Sequence, residues 1–292
     1  MFRPDLFKGK RILVTGGGTG LGRAMARRLM ELGAELHICG RRAGILQETA
    51  DALANATGGK IHSHPCDIRA APAVDEMVEA IWQQHGPLDG LINNAAGNFI
   101  AKTEDLSPRG FDAIANIVLH GSFYVTQAVG KRWIAEQRKG SIVSIVVTWV
   151  WTGSAFVVPS AMSKAGVAAM TQSLAVEWGP KGIRLNAIAP GPFPTEGMTK
   201  RLAPTEALER KMIGAIPMRR VGKMSELSNL AAFLLCDEVS YLTGEVIAID
   251  GGQWLNGAGG FGALAELSDA EWRQIREAIA ATNARDKAQR TV

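Results

Sequence analysis

The sequence predicts an α/β fold, a single doubly wound parallel sheet with helices on both faces. Three observations predict it. Short runs that are apolar throughout alternate with longer helical patterns from residue 11 onward. The first apolar run ends in a glycine-rich loop that opens straight into a helical pattern. No linker or shift in composition interrupts residues 1–263, so these read as one domain, and residues 264–292 read as a charged helical tail.

Taken in order, RILVTG (11–16) reads as a buried strand and LGRAMARRLMELG (21–33) as a helix closed by Gly33. ELHICG (35–40) is a second strand and 43–56 a second helix. KIHSHP (60–65) is a third strand, followed by a helix over 72–85. LDGLINNAA (88–96) is the fourth strand. Ser107 and Pro108 start a long helix over 108–137, because proline suits the first helical turn. GSIVSIVVT (140–148) is the fifth strand, 159–178 a long helix, and IRLNAIAP (183–190) the sixth strand. A helix near 225–235 and the strand EVIAIDGG (245–252) close the unit. Strands without polar alternation belong to a sheet covered on both faces, and βαβα order imposes right-handed crossovers. Residues 191–215, with Pro192 and Pro194, hold the weakest pattern and read as a mobile lid.

The composition excludes several classes. Of 292 residues, 47% are hydrophobic and 21% charged, enough for a real core and too apolar for a disordered chain. Lys plus Arg is 32 against 28 acidic residues, a net charge of +4. That balance does not suggest a nucleic-acid partner, yet it tolerates an anionic small molecule. Cys39, Cys66 and Cys236 lie far apart without a CxxC pair, which fits a reducing compartment. No apolar run is long enough to cross a bilayer, so no membrane partner is expected. The first strand begins after about ten residues, which leaves no room for a signal peptide. The expected location is cytoplasmic.

The glycine-rich loop reads Thr15-Gly16-Gly17-Gly18-Thr19-Gly20-Leu21-Gly22. Glycines let the backbone approach a pyrophosphate, and the helix that follows offers free N–H groups and the positive end of its dipole. Such a loop between a first strand and a helix points to a dinucleotide. The second strand then ends Cys39-Gly40-Arg41-Arg42, where an acidic residue would favour NAD. Two guanidinium groups stand there instead, ready for a 2′-phosphate. The expected cofactor is NADP(H).

The loop from Thr15 to Gly22, Asn93-Asn94-Ala95-Ala96-Gly97, Ser163-Lys164-Ala165-Gly166 and Ala189-Pro190-Gly191-Pro192 together resemble the short-chain dehydrogenase/reductase superfamily. The resemblance covers residues 9–255 and implies a Rossmann-type fold. Within the superfamily the chain is most similar to 2,4-dienoyl-CoA reductases of the mitochondrial type and their bacterial relatives. The residues that carry this are NNAAGNFI (93–100), FVVPS (156–160), Pro190 to Gly197 with Arg201 and Leu202, Met212-Ile213-Gly214 and Ile216-Pro217. The resemblance implies NADPH-dependent reduction of 2,4-dienoyl-CoA to 3-enoyl-CoA, in fatty acid β-oxidation. It implies dinucleotide contacts at Gly16, Gly17, Gly18, Thr19, Gly20, Leu21, Arg41, Asp67, Asn93, Lys164, Pro190, Gly191, Pro192 and Phe193, with Arg42 beside them. It implies acyl-CoA contacts at Arg69, Phe99, Ser107 and Arg201. It also implies a homotetramer built through the helices 108–137 and 159–178.

The chain departs from the superfamily at its centre. The usual Tyr-xxx-Lys has Ser160 four residues before Lys164. The superfamily's asparagine falls on Val118 and its serine near Val147. In the mitochondrial-type reductases the tyrosine lies fifteen residues before the lysine, and that position here is Trp149. The peroxisomal type uses an aspartate where Val118 stands. The two tyrosines, Tyr124 and Tyr241, match neither pattern.

An alkoxide formed from a ketone needs a positioned acid, worth about 10²–10⁴-fold. An indole N–H donates a hydrogen bond but is no usable acid. Conjugate reduction is more forgiving, because charge moves to a thioester oxygen that needs only hydrogen-bond donors, each worth about 10²–10³-fold. The resemblance gives Asn98 this donor role and sets Lys164 at the nicotinamide ribose; Ser160 and the Trp149 N–H are further candidate donors, and Lys164, Asn98, Ser160 and Trp149 form the catalytic set expected. Two other readings stay open: a reductase of another enoyl or carbonyl substrate, and a protein that binds NADP(H) and acyl-CoA without turnover. His62, His64 and Cys66 alternate along one strand, but Pro65 interrupts them and no fourth ligand is near, so no metal is expected. Trp149 and Trp151, two apart at a strand end, read as lining for an acyl pocket.

Overall fold

Seven short strands line up in one parallel sheet in the order β3-β2-β1-β4-β5-β6-β7. The computed structural model describes residues 2–195, 210–211, 213–258 and 262–289. These fall into two units, Met1–Gln253 and Trp254–Val292.

The first unit holds the sheet. Its strands are β1 (Arg11–Thr15), β2 (Glu35–Gly40), β3 (Ile61–Pro65), β4 (Gly90–Asn93), β5 (Gly140–Ile145), β6 (Ile183–Pro190) and β7 (Val246–Ile249). Its helices are α1 (Gly20–Glu31), α2 (Ala43–Thr57), α3 (Ala71–His85), α4 (Pro108–Ala115), α5 (Gly121–Ala135), α6 (Trp149–Thr152), α7 (Val158–Trp178) and α8 (Met224–Leu235). Alternate strand residues point to opposite faces. Ile12, Val14, Leu36 and Ile38 therefore join Met25 and Leu29 of α1 and Leu227 of α8 in one apolar layer. Leu13, Leu91, Ile142 and Leu185 join Val78 of α3 and Val125 and Val129 of α5 in the other. Strand order reverses between β1 and β4, which opens a crevice at the carboxyl ends of those two strands.

Three predicted elements end differently. β4 stops at Asn93 rather than residue 96, because the N–H groups of Asn94 and Ala95 turn to the Thr15 hydroxyl at 2.9 and 3.0 Å. β5 stops at Ile145 rather than residue 148, because the Ile145 carbonyl accepts from the Lys164 ammonium. Trp149 and Trp151 are thus not on a strand at all but in the turn of α6. The long helix over 108–137 is real but holds a π turn, Asn116–His120, between α4 and α5. Such turns recur at functional sites, and Val118 lies within this one. Of the proposed lid, residues 196–209 and 212 lie outside the described residues.

The second unit contains most of α9 (Gln253–Ala258), a 3₁₀ turn (Gly262–Glu266) and α10 (Asp269–Gln289). Ser268 and Glu271 start α10 as a capping box, with the Ser268 N–H donating to Glu271 at 2.7 Å and the Glu271 N–H to the Ser268 hydroxyl at 3.3 Å. No described helix is long and apolar enough to cross a membrane.

Candidate active site

The crevice is floored by backbone. Gly16 and Gly20 adopt φ of 64° and 54°, the left-handed region that glycine enters without a Cβ clash. A Cβ on Gly22 would run into the Gly16 carbonyl and the Asn94 amide. Thr19 precedes α1 without a side-chain cap, so the first N–H groups of that helix are left to face an anion. Gly17, Gly18 and Leu21 complete the loop. The Asn94 Nδ2 donates to the carbonyls of Thr15 and Gly16 at 3.0 and 3.3 Å and ties the loop to the end of β4. Sequence reasoning named its neighbour instead. Asn93 turns inward, 3% exposed, and its Nδ2 donates to Thr126 Oγ1 at 2.8 Å.

Arg41 and Arg42 follow β2 directly, both exposed and without an ion pair among the described residues. Across from them, Arg69 Nε donates to both oxygens of Asp67 at 2.9 Å. The Arg69 hydrogen bond holds the Asp67 carboxyl below the usual carboxylate range. The two residues expected to touch different ligands are thus bound to each other. Pro190, Gly191, Pro192 and Phe193 leave the end of β6, and the Gly191 N–H donates to Ile249 at 3.0 Å. Phe193 is a core side chain, 4% exposed, packed on Gly222. Thr195 then comes up against Gly20 of the loop.

The residues expected to be catalytic gather around Lys164 in α7, which is 7% exposed. Its ammonium donates to the Ile145 carbonyl, and no carboxylate faces it among the described residues. Burial pushes its pKa down to about 8. One turn earlier lies Ser160, a buried residue whose hydroxyl has no hydrogen-bond partner among the described residues. The half-buried Trp149 leaves its indole N–H unpartnered among the described residues. Asn98 accepts from the Phe99 N–H at 2.9 Å through Oδ1, which leaves its Nδ2 free to donate. The loop that carries it is fixed to the segment before α7, because the Ala101 N–H donates to the Phe156 carbonyl at 2.9 Å. Phe99, Ile100 and Phe156 are exposed along these two segments. Phe156 sits at φ 64°, a strained position for a bulky residue.

Phe99 and Ser107 both border Gly110. Ser107 caps α4 by accepting from the Gly110 N–H at 3.1 Å. Arg201 lies outside the described residues. Val118 is wholly buried. Tyr241 stands fully exposed, and Tyr124, on α5, packs against the core. The sequence reading also missed Thr148, a buried residue one position after Val147 whose hydroxyl has no hydrogen-bond partner among the described residues. A hydroxyl closing an otherwise apolar strand run was the available signal.

The family described as enoyl-(acyl carrier protein) reductase matches residues 16–253 of the chain. A Bacillus subtilis protein named a probable 2,4-dienoyl-CoA reductase, (2E)-enoyl-CoA-producing, is 43% identical over 85% of this chain and 97% of its own. The chain belongs to the short-chain dehydrogenase/reductase family. It is an oxidoreductase of that family, and its resemblance is to the 2,4-dienoyl-CoA reductases. A Caenorhabditis elegans relative named as a (3E)-enoyl-CoA-producing reductase of this kind is 44% identical over 87% of this chain and 83% of its own. A solved short chain dehydrogenase from Bacillus anthracis is similar at 41% identity and TM-score 0.75, covering 84% of this chain and 96% of that one. A protein from Agrobacterium tumefaciens described as a 2-deoxy-D-gluconate 3-dehydrogenase was solved with bound NADP. It is similar at 31% identity and TM-score 0.79, covering 87% of this chain and all of that one, 100%.

Proposed function

We propose that the protein catalyses NADPH-dependent reduction of a 2,4-dienoyl-CoA to a 3-enoyl-CoA. The observation that carries the reading is the donor set. Asn98, Ser160 and Trp149 each hold an uncommitted neutral donor in the segments around a buried lysine, and no phenol accompanies them. Relatives named for this reaction support the substrate class.

The site fits a nicotinamide dinucleotide. The glycine cradle is one that a Cβ would fill, and Lys164 is a buried cation with no carboxylate facing it among the described residues. Bound NADPH supplies the hydride. Gly16 to Leu21 and the start of α1 hold the pyrophosphate. Arg41 and Arg42 take the 2′-phosphate, with Asp67 near the adenine. Lys164 donates to the nicotinamide ribose, and the backbone of Asn93 and of Pro190 to Phe193 lines the rest.

Reduction at C5 leaves negative charge spread from C4 to the thioester oxygen. Asn98, Ser160 and Trp149 donate to that oxygen, each worth about 10²–10³-fold in rate. Protonation at C2 by water then gives the 3-enoyl product. Arg69 exchanges Asp67 for a CoA phosphate, Arg201 joins it, and Phe99 with Ser107 borders the acyl group. Phe123 on α5 and Met162 and Val176 on α7 are exposed apolar side chains, which supports assembly as a homotetramer through those helices. A cytoplasmic enzyme serving fatty acid β-oxidation is the corresponding role.

A scan of acyl-CoA substrates tests the reading. NADPH oxidation should be fastest with 2,4-hexadienoyl-CoA, and chromatography should show 3-hexenoyl-CoA. Faster oxidation with a 2-enoyl- or 3-ketoacyl-CoA would overturn the substrate, and 2-hexenoyl-CoA as product would move protonation to C4. Tight binding of both ligands without oxidation would make the protein a binder.

A further inference from the structure

Four of the five histidines meet at one place, away from the dinucleotide crevice. Parallel pairing sets His37 of β2 opposite His62 of β3 and Cys39 opposite His64. Partners across a parallel ladder share a face, so Glu35 and His37 lie on the same side as His62 and His64. This is why the pattern within β3 alone showed too few ligands. The His62 Nε2 is 3.0 Å from a Glu35 oxygen. His85, at the end of α3, brings its ring 4.0 Å from that of His62 and 5.0 Å from that of His37. β3 is an edge strand, and His62, His64 and His85 line a solvent-open cavity along it.

Two independent observations mark this cluster as more than packing. One ligand atom from each of Glu35, His37 and His62 lies within 4.8 Å of the others. His37 is wholly buried, and its Nε2 has no hydrogen-bond partner. A buried ring nitrogen left in this state is costly, and a metal ion satisfies it. The other nitrogen, Nδ1, is held at 3.0 Å by the His64 Nε2, which orients the ring as outer-shell partners do in metal sites.

We propose that Glu35, His37 and His62 bind a divalent transition-metal ion of the zinc class, with His64 as the residue that positions His37. Two imidazoles and one carboxylate suit that ion and leave a fourth position for water or His85. Arg11 is the opposing charge. Its Nε lies 3.7 Å from the second Glu35 oxygen, which leaves the first oxygen toward His62 for the ion. The site joins the edge strand β3 to β2 and lies toward the amino-terminal half of the sheet, so it is independent of the reductase reading.

Calorimetric titration of the chelator-treated full chain with zinc chloride tests it. One ion per chain should bind and raise the melting temperature. His62→Ala and Glu35→Gln, both at partly exposed positions, should each weaken binding at least tenfold, and His64→Ala by about 10–100-fold. His120→Ala, outside the cluster, should bind as the parent does. Zinc affinity equal in the parent and in His62→Ala overturns the site, as does no binding by the parent. Should the variants fail to fold, zinc-soaked crystals of the parent decide it. An anomalous peak among Glu35, His37 and His62 supports the proposal, and its absence there overturns it.

Discussion

The two ends of the crevice are made of different material. At the carboxyl end of β1 the surface is backbone, and what matters is where side chains are missing. Gly16, Gly20 and Gly22 accept conformations or approaches that any Cβ would block. At the carboxyl end of β5 and the start of α7 the surface is side chains, and these depart from the superfamily pattern. Ser160, Trp149, Val118 and Val147 stand where the resemblance expects ionisable or polar groups. A backbone cradle serves any reaction that uses the same dinucleotide. Under the proposed reading, the donors at the other end decide which reaction that is.

The largest expected effect breaks the cradle. Gly22→Ala presses a methyl group into the Gly16 carbonyl, and dinucleotide affinity should fall more than 100-fold. Calorimetry with NADPH measures this, beside circular dichroism to show that the sheet persists. A second change reaches only the other end. Asn98→Ala should lower kcat about 10²–10³-fold with the NADPH dissociation constant unchanged, if its amide meets the thioester oxygen. Trp149→Tyr replaces an indole N–H with an acidic O–H, and turnover of 2,4-hexadienoyl-CoA should rise at least tenfold. Unchanged turnover would remove position 149 from the chemistry. Arg41→Ala should weaken NADPH about 10–100-fold and leave NADH alone, since a charged hydrogen bond is worth about 1.5–3 kcal/mol. Equal loss for both nucleotides would end the case for NADP.

The smallest effect is on stability and concerns Lys164, buried at the start of α7. Its folded pKa, about 8, lies below the ordinary 10.5 because the ammonium is buried. Burying that charge opposes folding below pH 8, and the cost fades as the pH rises from about 8 toward 10.5. Lys164→Met removes the cost and one hydrogen bond together, so stability at pH 7 should rise by about 1–2 kcal/mol while turnover collapses. Denaturant melts at pH 7 and pH 10 read this directly, and the gain should shrink at pH 10. In the parent, NADPH should bind more weakly as the pH climbs through 8, and Lys164→Met should lose that dependence.

The same contrast explains what could be read from the sequence. β2 and β6 match their predicted spans, because apolar runs bounded by glycine and proline leave little choice. The exposed place of Arg41 and Arg42 just after β2 was legible from strand position alone. Ends of strands were not, where a side chain far along the chain captures the backbone. Thr15 draws Asn94 and Ala95 out of β4, and Lys164 captures the carbonyl that ends β5. Trp149 therefore moved from a strand to a helical turn. The mutual pairing of Asp67 and Arg69 and the meeting of His37 with His62 depend on local geometry and cross-strand register, which spacing within one segment does not reveal.

A single-turnover experiment with NADPH deuterated at nicotinamide C4 tests the central claim, that neutral donors suffice for a conjugated thioester. Mixed with excess protein and 2,4-hexadienoyl-CoA, the label should appear at C5 of the product as the nicotinamide absorbance decays. Stable absorbance in a complex that holds both ligands, with no label in the acyl chain, would contradict it.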